Sequence, residues 1–152
     1  MHQRYFIACL LAALATAAGS PQTALAESTT VIRLVTASVG WVDTGVEVKP
    51  GDEVEFLAYG TWSMEGTKYI TGANGRPGII NPIAAVPTAP LGSLVGCIGQ
   101  SCFLVGLTSV HAGVGRIHLA INDGPDWYND NTGALLVSID VRKKKMAANK
   151  IE

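Results

Sequence analysis

Short apolar stretches with a period of two, separated by turns rich in glycine and proline, constrain the fold most strongly. In Glu53–Tyr59 the residues Val54, Phe56 and Ala58 alternate with neighbours that point to the opposite side. This alternation is typical of a strand with one face in the core. Because no window of the sequence offers a long pattern of period 3.6, we expect an all-β protein.

The same pattern predicts further strands along the chain, each bounded by turn-forming residues. They are Val31–Ala37, Gly45–Val48, Ser93–Ile98, Phe103–Val105, Arg116–Ile121 and Ala134–Val141, with Gly60–Met64 as a continuation of the strand that begins at Glu53. Residues 71–92 are rich in Gly, Pro, Asn and Ala and predict a long irregular loop, a feature that is commonly functional. Short strands joined by turns indicate an antiparallel β-sandwich.

The first 26 residues are interpreted as a signal peptide that is removed from the mature protein. Arg4 supplies a basic start, the apolar run Tyr5–Ala18 follows, and small residues at Ala24 and Ala26 fit a cleavage site before Glu27. An uncleaved membrane anchor is the alternative, but the run is shorter than the roughly 20 residues that a spanning helix needs. We therefore expect a secreted or periplasmic protein without a membrane span after cleavage.

The mature chain then divides into a β-sandwich domain over residues 27–141 and a basic tail over residues 142–152. The tail begins with the run Arg142–Lys145, which is typical of a solvated, flexible end. The complete chain has 152 residues and a formal net charge of −1. This length suits one domain, and the near-zero charge disfavours a nucleic-acid partner, since nucleic-acid binders usually present a basic face.

Two cysteines remain after signal cleavage, Cys97 and Cys102, and a predicted turn separates them. An exported pair of cysteines lies in an oxidising compartment, so we expect a disulfide across a hairpin. A metal site is the alternative, but it needs more soft ligands than lie nearby in the sequence.

Residues 122–133, here named the acidic loop, carry the densest group of oxygen-bearing side chains. The Asn and Asp residues of this segment are Asn122, Asp123, Asp126, Asn129, Asp130 and Asn131. The segment lies between two predicted strands, so we expect a loop at one end of the sandwich. Calcium binds oxygens of carboxylates, amides and backbone carbonyls, all of which such a loop supplies. From composition alone, a plain polar turn is an equally good interpretation.

Several segments of the mature chain match a known family in their order and spacing. They are Trp41–Val46, Lys49–Val54, Ala58–Trp62, Leu91–Gly99, Phe103–Gly106, Leu119–Asp123 and Asp130–Gly133. Through these segments, most of residues 41–139 resembles the PA-IL-like family of bacterial calcium-dependent, galactose-binding lectins. The resemblance implies a jelly-roll-like antiparallel β-sandwich, which agrees with the predicted strands.

The resemblance also implies a calcium site between two loops. By motif, Asp123 corresponds to a carboxylate ligand, and Asp130 and Asn131 correspond to side-chain ligands. Trp127 and Met64 fall where the family uses backbone carbonyl oxygens, which tolerate a change of side chain. Sugar hydroxyls would complete the coordination shell, an arrangement that suits the adjacent cis hydroxyls of a galactose-like sugar.

The long loop departs from the pattern of the galactose-binding members. Those members place a His-Pro pair and a Gln against the sugar, whereas this chain has Thr71–Arg76 at the corresponding stretch. Asn74 and Arg76 are the residues of this stretch that are candidates to reach a ligand. The predicted ligand-binding residues are Asp123, Asp130, Trp127 and Asn74.

Six aromatic residues are candidates for a platform that stacks on sugar rings: Trp41, Trp62, Trp127, Tyr59, Tyr69 and Tyr128. We expect Trp41 and Trp62 to lie in the core instead. Trp127 and Tyr128 have the better claim to a ligand because they lie in the acidic loop. Of the histidines, His111 is placed in a Gly-rich turn.

Carbohydrate binding through calcium is therefore the predicted function, with no enzymatic activity. A structural or protein-interaction module of the cell envelope, in which calcium only rigidifies the acidic loop, is the main alternative. A hydrolase is disfavoured because the chain lacks a Gly-x-Ser-x-Gly elbow, and metal ligation explains Asp123 and Asp130 better than paired-carboxylate chemistry does. The predicted partner is a carbohydrate, and assembly into a homo-oligomer is left open.

Overall fold

The structure, a computed structural model, describes residues 27–143. The predicted signal peptide (1–26) and residues 144–152 of the predicted tail lie outside the described residues. The strands of the described part are β1 (Ser28–Thr36), β2 (Val42–Val48), β3 (Glu53–Met64), β4 (Tyr69–Thr71), β5 (Leu94–Ile98), β6 (Ser101–Leu104), β7 (Thr108–Ala112), β8 (Gly115–Ile121) and β9 (Thr132–Arg142), with a 3₁₀ turn at Tyr128–Asp130. Within residues 27–143, no helix is long and apolar enough to cross a membrane.

The strands form two antiparallel sheets that enclose a common core. The first sheet has the order β1-β9-β3, and both β4 and β7 pair with the remaining edge of β3. The second sheet has the order β2-β8-β5-β6. Neighbouring strands are often distant in sequence, so the chain crosses repeatedly between the sheets, as in a jelly-roll-like fold. The prediction of an all-β antiparallel sandwich is confirmed.

The core between the sheets contains the alternating residues that the sequence singled out. Val54, Phe56 and Ala58 of β3 are fully buried, and so are Ile117 and Leu119 of β8 in the opposite sheet. The intervening positions of β3 and β8 are more exposed over most of their length. Burial of one face per strand is the physical reason for the period of two.

The long loop between β4 and β5 covers the outer face of the second sheet. Val86 and Ala89 of the loop pack against Val95 and Ala120, which lie opposite each other in the β5–β8 register. Every residue of β5 is therefore buried, on one side by the core and on the other by the loop. The predicted irregular loop is confirmed, because β4 and β5 are joined without an intervening strand.

The structure corrects the interpretation of His111. It lies not in a turn but in β7, opposite Val54 of β3. Its ring stacks on Phe103 with the centroids 3.6 Å apart and meets the edge of Phe56. This strand lacks the expected alternation of apolar residues, because its more buried positions are Ser109 and His111.

Two smaller differences concern Trp41 and Arg142. Trp41 is 39% exposed, whereas Trp62 is fully buried as expected. Trp41 precedes β2 in a turn and so does not enter the core. Strand β9 extends one residue beyond the predicted domain boundary, because Arg142 pairs in register with Glu53 and Ser28.

Cys97 and Cys102 form the predicted disulfide across the β5–β6 hairpin. The two residues are opposite each other in register, with their Cα atoms 4.0 Å apart. Gly99 takes a φ of 60° in the two-residue turn, a conformation that glycine adopts without strain. The prediction of both the hairpin and the bond is confirmed.

Replacing both cysteines with alanine should lower the free energy of unfolding by about 2 kcal/mol, because only a short loop is released in the unfolded chain. Urea denaturation of the oxidised protein and of the double variant measures the difference. A reductant should destabilise the natural protein by the same amount and leave the variant unchanged. Equal midpoints for the two proteins would show that the bond adds nothing.

Stability should fall on acidification because of His111. Burial lowers the pKa of His111 below its ordinary value of 6.5, against a smaller opposing effect of a hydrogen bond to the Leu104 backbone. The unfolded chain therefore binds a proton at a higher pH than the folded chain, so the free energy of unfolding decreases as pH falls below about 6.5. His111→Phe keeps a ring against Phe103 and should lose less stability between pH 7.5 and 5.5. Identical pH profiles would contradict this assignment.

Candidate functional site

Hydrogen bonds join the turn after β3 to the acidic loop. The backbone N–H of Gly66 donates to the carbonyl of Asp130, and Thr132 Oγ1 donates to the carbonyl of Gly66 at 2.7 Å. Glu65 is the one non-glycine residue of the described chain with a positive φ, 50°, and it reverses the chain directly after Met64. The turn therefore holds the end of β3 beside the acidic loop.

Asn122 fixes the long loop to the start of the acidic loop. It is fully buried, and its Nδ2 donates to the carbonyls of Val86 at 3.1 Å and Ala89 at 3.0 Å. Its Oδ1 accepts from the N–H of Val86 at 2.9 Å. Its backbone N–H donates to the carbonyl of Ser93 at 2.7 Å, and its backbone carbonyl accepts from the N–H of Gly92 at 2.9 Å. The side chain of Asn122 thus has a structural role.

The meeting of these segments leaves a cavity of about 360 Å³ at this end of the sandwich. Six residues that the sequence offered as candidates for a metal or a ligand line it together: Met64, Tyr69, Arg76, Asp123, Trp127 and Asp130. The other lining residues are Glu65 and Leu91. A cavity of this size, with a few polar groups in its wall, is typical of a small-molecule site.

Asp123 and Asn131 form a buried polar pair beside this cavity. They are 4% and 3% exposed. The carboxylate of Asp123 accepts from the N–H of Gly124 at 2.7 Å and from Asn131 Nδ2 at 3.0 Å. Asn131 Oδ1 is buried and has no hydrogen-bond donor among residues 27–143. Such an unpaired buried acceptor is rare in folded proteins and calls for a positively charged or donating partner.

The site carries an excess of negative charge. Among residues 27–143, neither Asp123 nor Asp130 takes part in an ion pair. Glu65, the third carboxylate of the cavity wall, pairs with Lys68 at 2.7 Å. Burial and the nearby charge of Asp123 raise the pKa of the Tyr128 hydroxyl. Asp123 is buried, whereas Asp130 is exposed. Because a buried charge is costly unless it is compensated, Asp123 in particular favours a bound cation.

The available donors suit a hard cation. No group of three or more His, Cys, Asp or Glu side chains in the described part of the chain has a metal-binding arrangement. The donors are two carboxylates (Asp123 and Asp130), one amide oxygen (Asn131) and backbone carbonyls. Hard divalent cations accept such oxygens, whereas zinc sites use thiolate and imidazole. A cation held by these oxygens would explain why the buried Asn131 Oδ1 has no hydrogen-bond donor.

Trp127 forms an exposed part of the cavity rim. Trp127 is 53% exposed, and its backbone N–H donates to the carbonyl of Gly124 at 3.0 Å. A Cβ at position 124 would lie 3.0 Å from the indole ring, so glycine allows the ring to fold back over the loop. Tyr128, by contrast, is half-buried and packs against the core. Of these two aromatic residues, only Trp127 lines the cavity.

The two candidates from the long loop differ in their positions. Asn74 is not among the residues that line the cavity, and its Oδ1 accepts from the N–H of Leu107 at 2.8 Å. This contact ties the loop to the connection between β6 and β7. Arg76 does line the cavity. Sequence reasoning did not single out Glu65 and Leu91, which reach the wall only through the turn and the loop that carry them.

The fold and the cavity define a β-sandwich binding module with a site built from loops. A family model described as "PA-IL-like protein" matches residues 33–144. The chain therefore belongs to the PA-IL-like family, and the resemblance found in the sequence is confirmed.

A solved structure described as "EclA N-terminal domain; PllA-like lectin" is similar to this chain. The two are 27% identical, and the match covers 74% of this chain and 95% of that chain with a TM-score of 0.58. No curated protein matches this chain. The lectin-like family and this lectin neighbour support a carbohydrate-binding protein.

Asn122→Ala should lower the free energy of unfolding by about 2–4 kcal/mol, because it leaves several buried backbone groups without partners. Asn129→Ala, an exposed change in the same loop, is the matched control and should have little effect. Urea denaturation measures both, and hydrogen exchange at the Val86 amide reports release of the long loop. Equal effects of the two substitutions would contradict the structural role of Asn122.

Proposed function

We propose that this protein is an exported, calcium-dependent carbohydrate-binding protein without enzymatic activity. The observation that carries the proposal is one cavity that brings together Asp123, Asp130 and the exposed ring of Trp127, beside a buried Asn131 oxygen that lacks a donor. A cation and a sugar are the two ligands that this combination suits within a lectin-like fold.

Calcium is the proposed ion. The side chains of Asp123, Asp130 and Asn131 would hold it, joined by the backbone carbonyls of Met64 and Trp127 in keeping with the family resemblance. When bound, the ion supplies positive charge and open coordination positions that sugar hydroxyls can occupy. Asp123 is already held in place by Gly124 and Asn131, so this carboxylate requires little rearrangement on binding.

The proposed sugar offers two adjacent hydroxyls, as a galactose-like sugar does. A cavity of about 360 Å³ has room for one monosaccharide unit. Trp127 presents an apolar ring at the rim, on which the CH groups of a sugar ring can pack. The Trp127 ring would thus contact the apolar side of the sugar, opposite the hydroxyls that would face the ion.

Export is supported by the predicted signal peptide and by the disulfide between Cys97 and Cys102. Structural disulfides persist mainly in oxidising compartments such as the periplasm and the extracellular space. A secreted or periplasmic location is therefore part of the proposal.

A second candidate is a purely structural calcium in an envelope or interaction module. The deep burial of Asp123 and Asn131 favours it, because an ion held there could stabilise the acidic loop without meeting a ligand. The two candidates differ in whether sugar adds stability beyond that supplied by calcium.

Thermal melting in EDTA, in calcium, and in calcium with a panel of monosaccharides tests the proposal. A ligand at about 100 times its Kd adds about 2.7 kcal/mol to the stability of the native state. We expect a rise of several degrees with calcium and a further rise with one class of sugar. Asp123→Asn and Asp130→Asn should each abolish most of the calcium response.

Asp126→Asn is the matched control, since Asp126 is exposed in the same loop and does not line the cavity. This variant should respond to calcium as the natural protein does. If Asp123→Asn and Asp130→Asn also respond normally, the site assignment is wrong. A calcium response without any sugar response would favour the structural ion.

A further inference from the structure

Arg76 is a cation in the cavity wall for which the calcium site has no use. It is half-buried, and its guanidinium lies over the ring of Tyr69 with Cζ 4.2 Å from the ring centroid. It forms no ion pair with any residue between 27 and 143. Its side-chain N–H groups likewise have no hydrogen-bond acceptor in the described chain. A guanidinium has five such donors, so this one is free to bind a ligand.

The backbone around Arg76 is held in one position. Its N–H donates to the carbonyl of Leu91 at 2.9 Å, and its carbonyl accepts from the N–H of Ile79 at 3.1 Å. Gly75 has a φ of 68°, and a Cβ there would lie 2.5 Å from the backbone nitrogen of Ser93. Only glycine permits this close approach. The backbone contacts fix the main chain of Arg76, and the Tyr69 ring holds its guanidinium. Together they pre-organise the side chain and reduce the entropy lost on binding.

The charges of the cavity wall determine which charge a ligand of Arg76 must carry. The third carboxylate, Glu65, is neutralised by Lys68, which leaves Asp123 and Asp130 as the unpaired negative charges. A divalent cation would balance these two. Arg76 then remains as one uncompensated positive charge in the wall, and a ligand with one negative charge makes the occupied site neutral.

We infer that Arg76 is a specificity-determining residue that selects a saccharide bearing a carboxylate, a uronic acid, over its neutral counterpart. The inference rests on the proposed function, since the same cavity must bind the sugar. A guanidinium presents paired N–H donors whose geometry matches a carboxylate, and stacking on an aromatic ring leaves that edge accessible. Asp123 and Asp130 hold the ion side of the sugar, and Arg76 holds its acidic group.

Calorimetric titration in calcium with two probes tests the inference: methyl α-D-galactopyranoside and methyl α-D-galactopyranosiduronate, which differ only in the oxidation of C6. We expect the acid to bind about tenfold more tightly, the range of a charge-assisted hydrogen bond. Arg76→Met should abolish this preference and leave the affinity for the neutral glycoside within about twofold. Arg76→Lys, which keeps the charge without the paired geometry, should retain only part of the preference.

Lys49→Met is the matched control. Lys49 is exposed, forms no ion pair with any residue between 27 and 143, and does not line the cavity. Its replacement takes away one positive charge without leaving a carboxylate of the cavity wall unpaired, and it should leave the preference for the acid unchanged. An equal loss in both variants would show a general effect of charge and would overturn the role of Arg76.

The remaining outcomes separate this inference from the proposed function. If both glycosides bind equally, or if Arg76→Met keeps the preference, the inference is overturned and carbohydrate binding stands. If neither glycoside binds in calcium, the inference is overturned together with the proposed binding of a galactose-like sugar. Competition by acetate as strong as that by the acidic glycoside would show a simple anion site and would overturn selection of a saccharide. In a further outcome, the natural protein does not respond to calcium and the Arg76→Met variant melts several degrees lower in EDTA. This result would show that Arg76 balances the charge of the aspartates in place of a metal ion, and it would overturn the inference.

Discussion

The side chain of Asn122 makes the contact on which the geometry of the site depends. It is fully buried where β8 ends, and it satisfies backbone groups of Val86 and Ala89 in the long loop. That loop has no strand of its own to hold it against the second sheet. Its attachment relies on this amide, on the small apolar cluster around Val95 and on the contact of Asn74 with Leu107. Of these, the amide of Asn122 is the contact that lies next to Asp123 and so joins the long loop to the acidic loop.

The sandwich and the loops contribute different properties to the site. The two sheets supply apolar burial, and they carry the ends of β3 and β8 to the same end of the molecule. The loops supply charge: Asp123 and Asp130 on the acidic loop and Arg76 on the long loop. Asp130 and Arg76 retain access to ligands, whereas Asp123 is buried beside them and accepts hydrogen bonds from Gly124 and Asn131. The arrangement separates stability, which the core provides, from recognition, which the loops provide.

Much of the candidate site could be predicted from local sequence. Asp123, Asp130 and Asn131 lie within one short segment, so their proximity follows from the turn that joins two strands. Met64 and Trp127 were assigned through the family resemblance, and both line the same cavity as the aspartates. The positions of residues in the long loop cannot be predicted in this way, because the loop has no periodic pattern. Nothing in Thr71–Arg76 indicates that Asn74 contacts the β6–β7 connection while Arg76 lines the cavity.

The class of fold follows from the pattern of residues along the chain, because alternating burial leaves a period of two in the strands that have one apolar face. The hairpin disulfide follows in a similar way, since Cys97 and Cys102 flank a short turn and lie opposite each other once the hairpin forms. The place of β7 does not follow from that pattern, because its more buried positions carry Ser109 and His111 instead of aliphatic residues. Nor does the pattern show that Asp123, Asp130 and Arg76 line one cavity. Proximity between residues far apart in sequence depends on how the loops pack, and packing leaves no periodic trace in the chain.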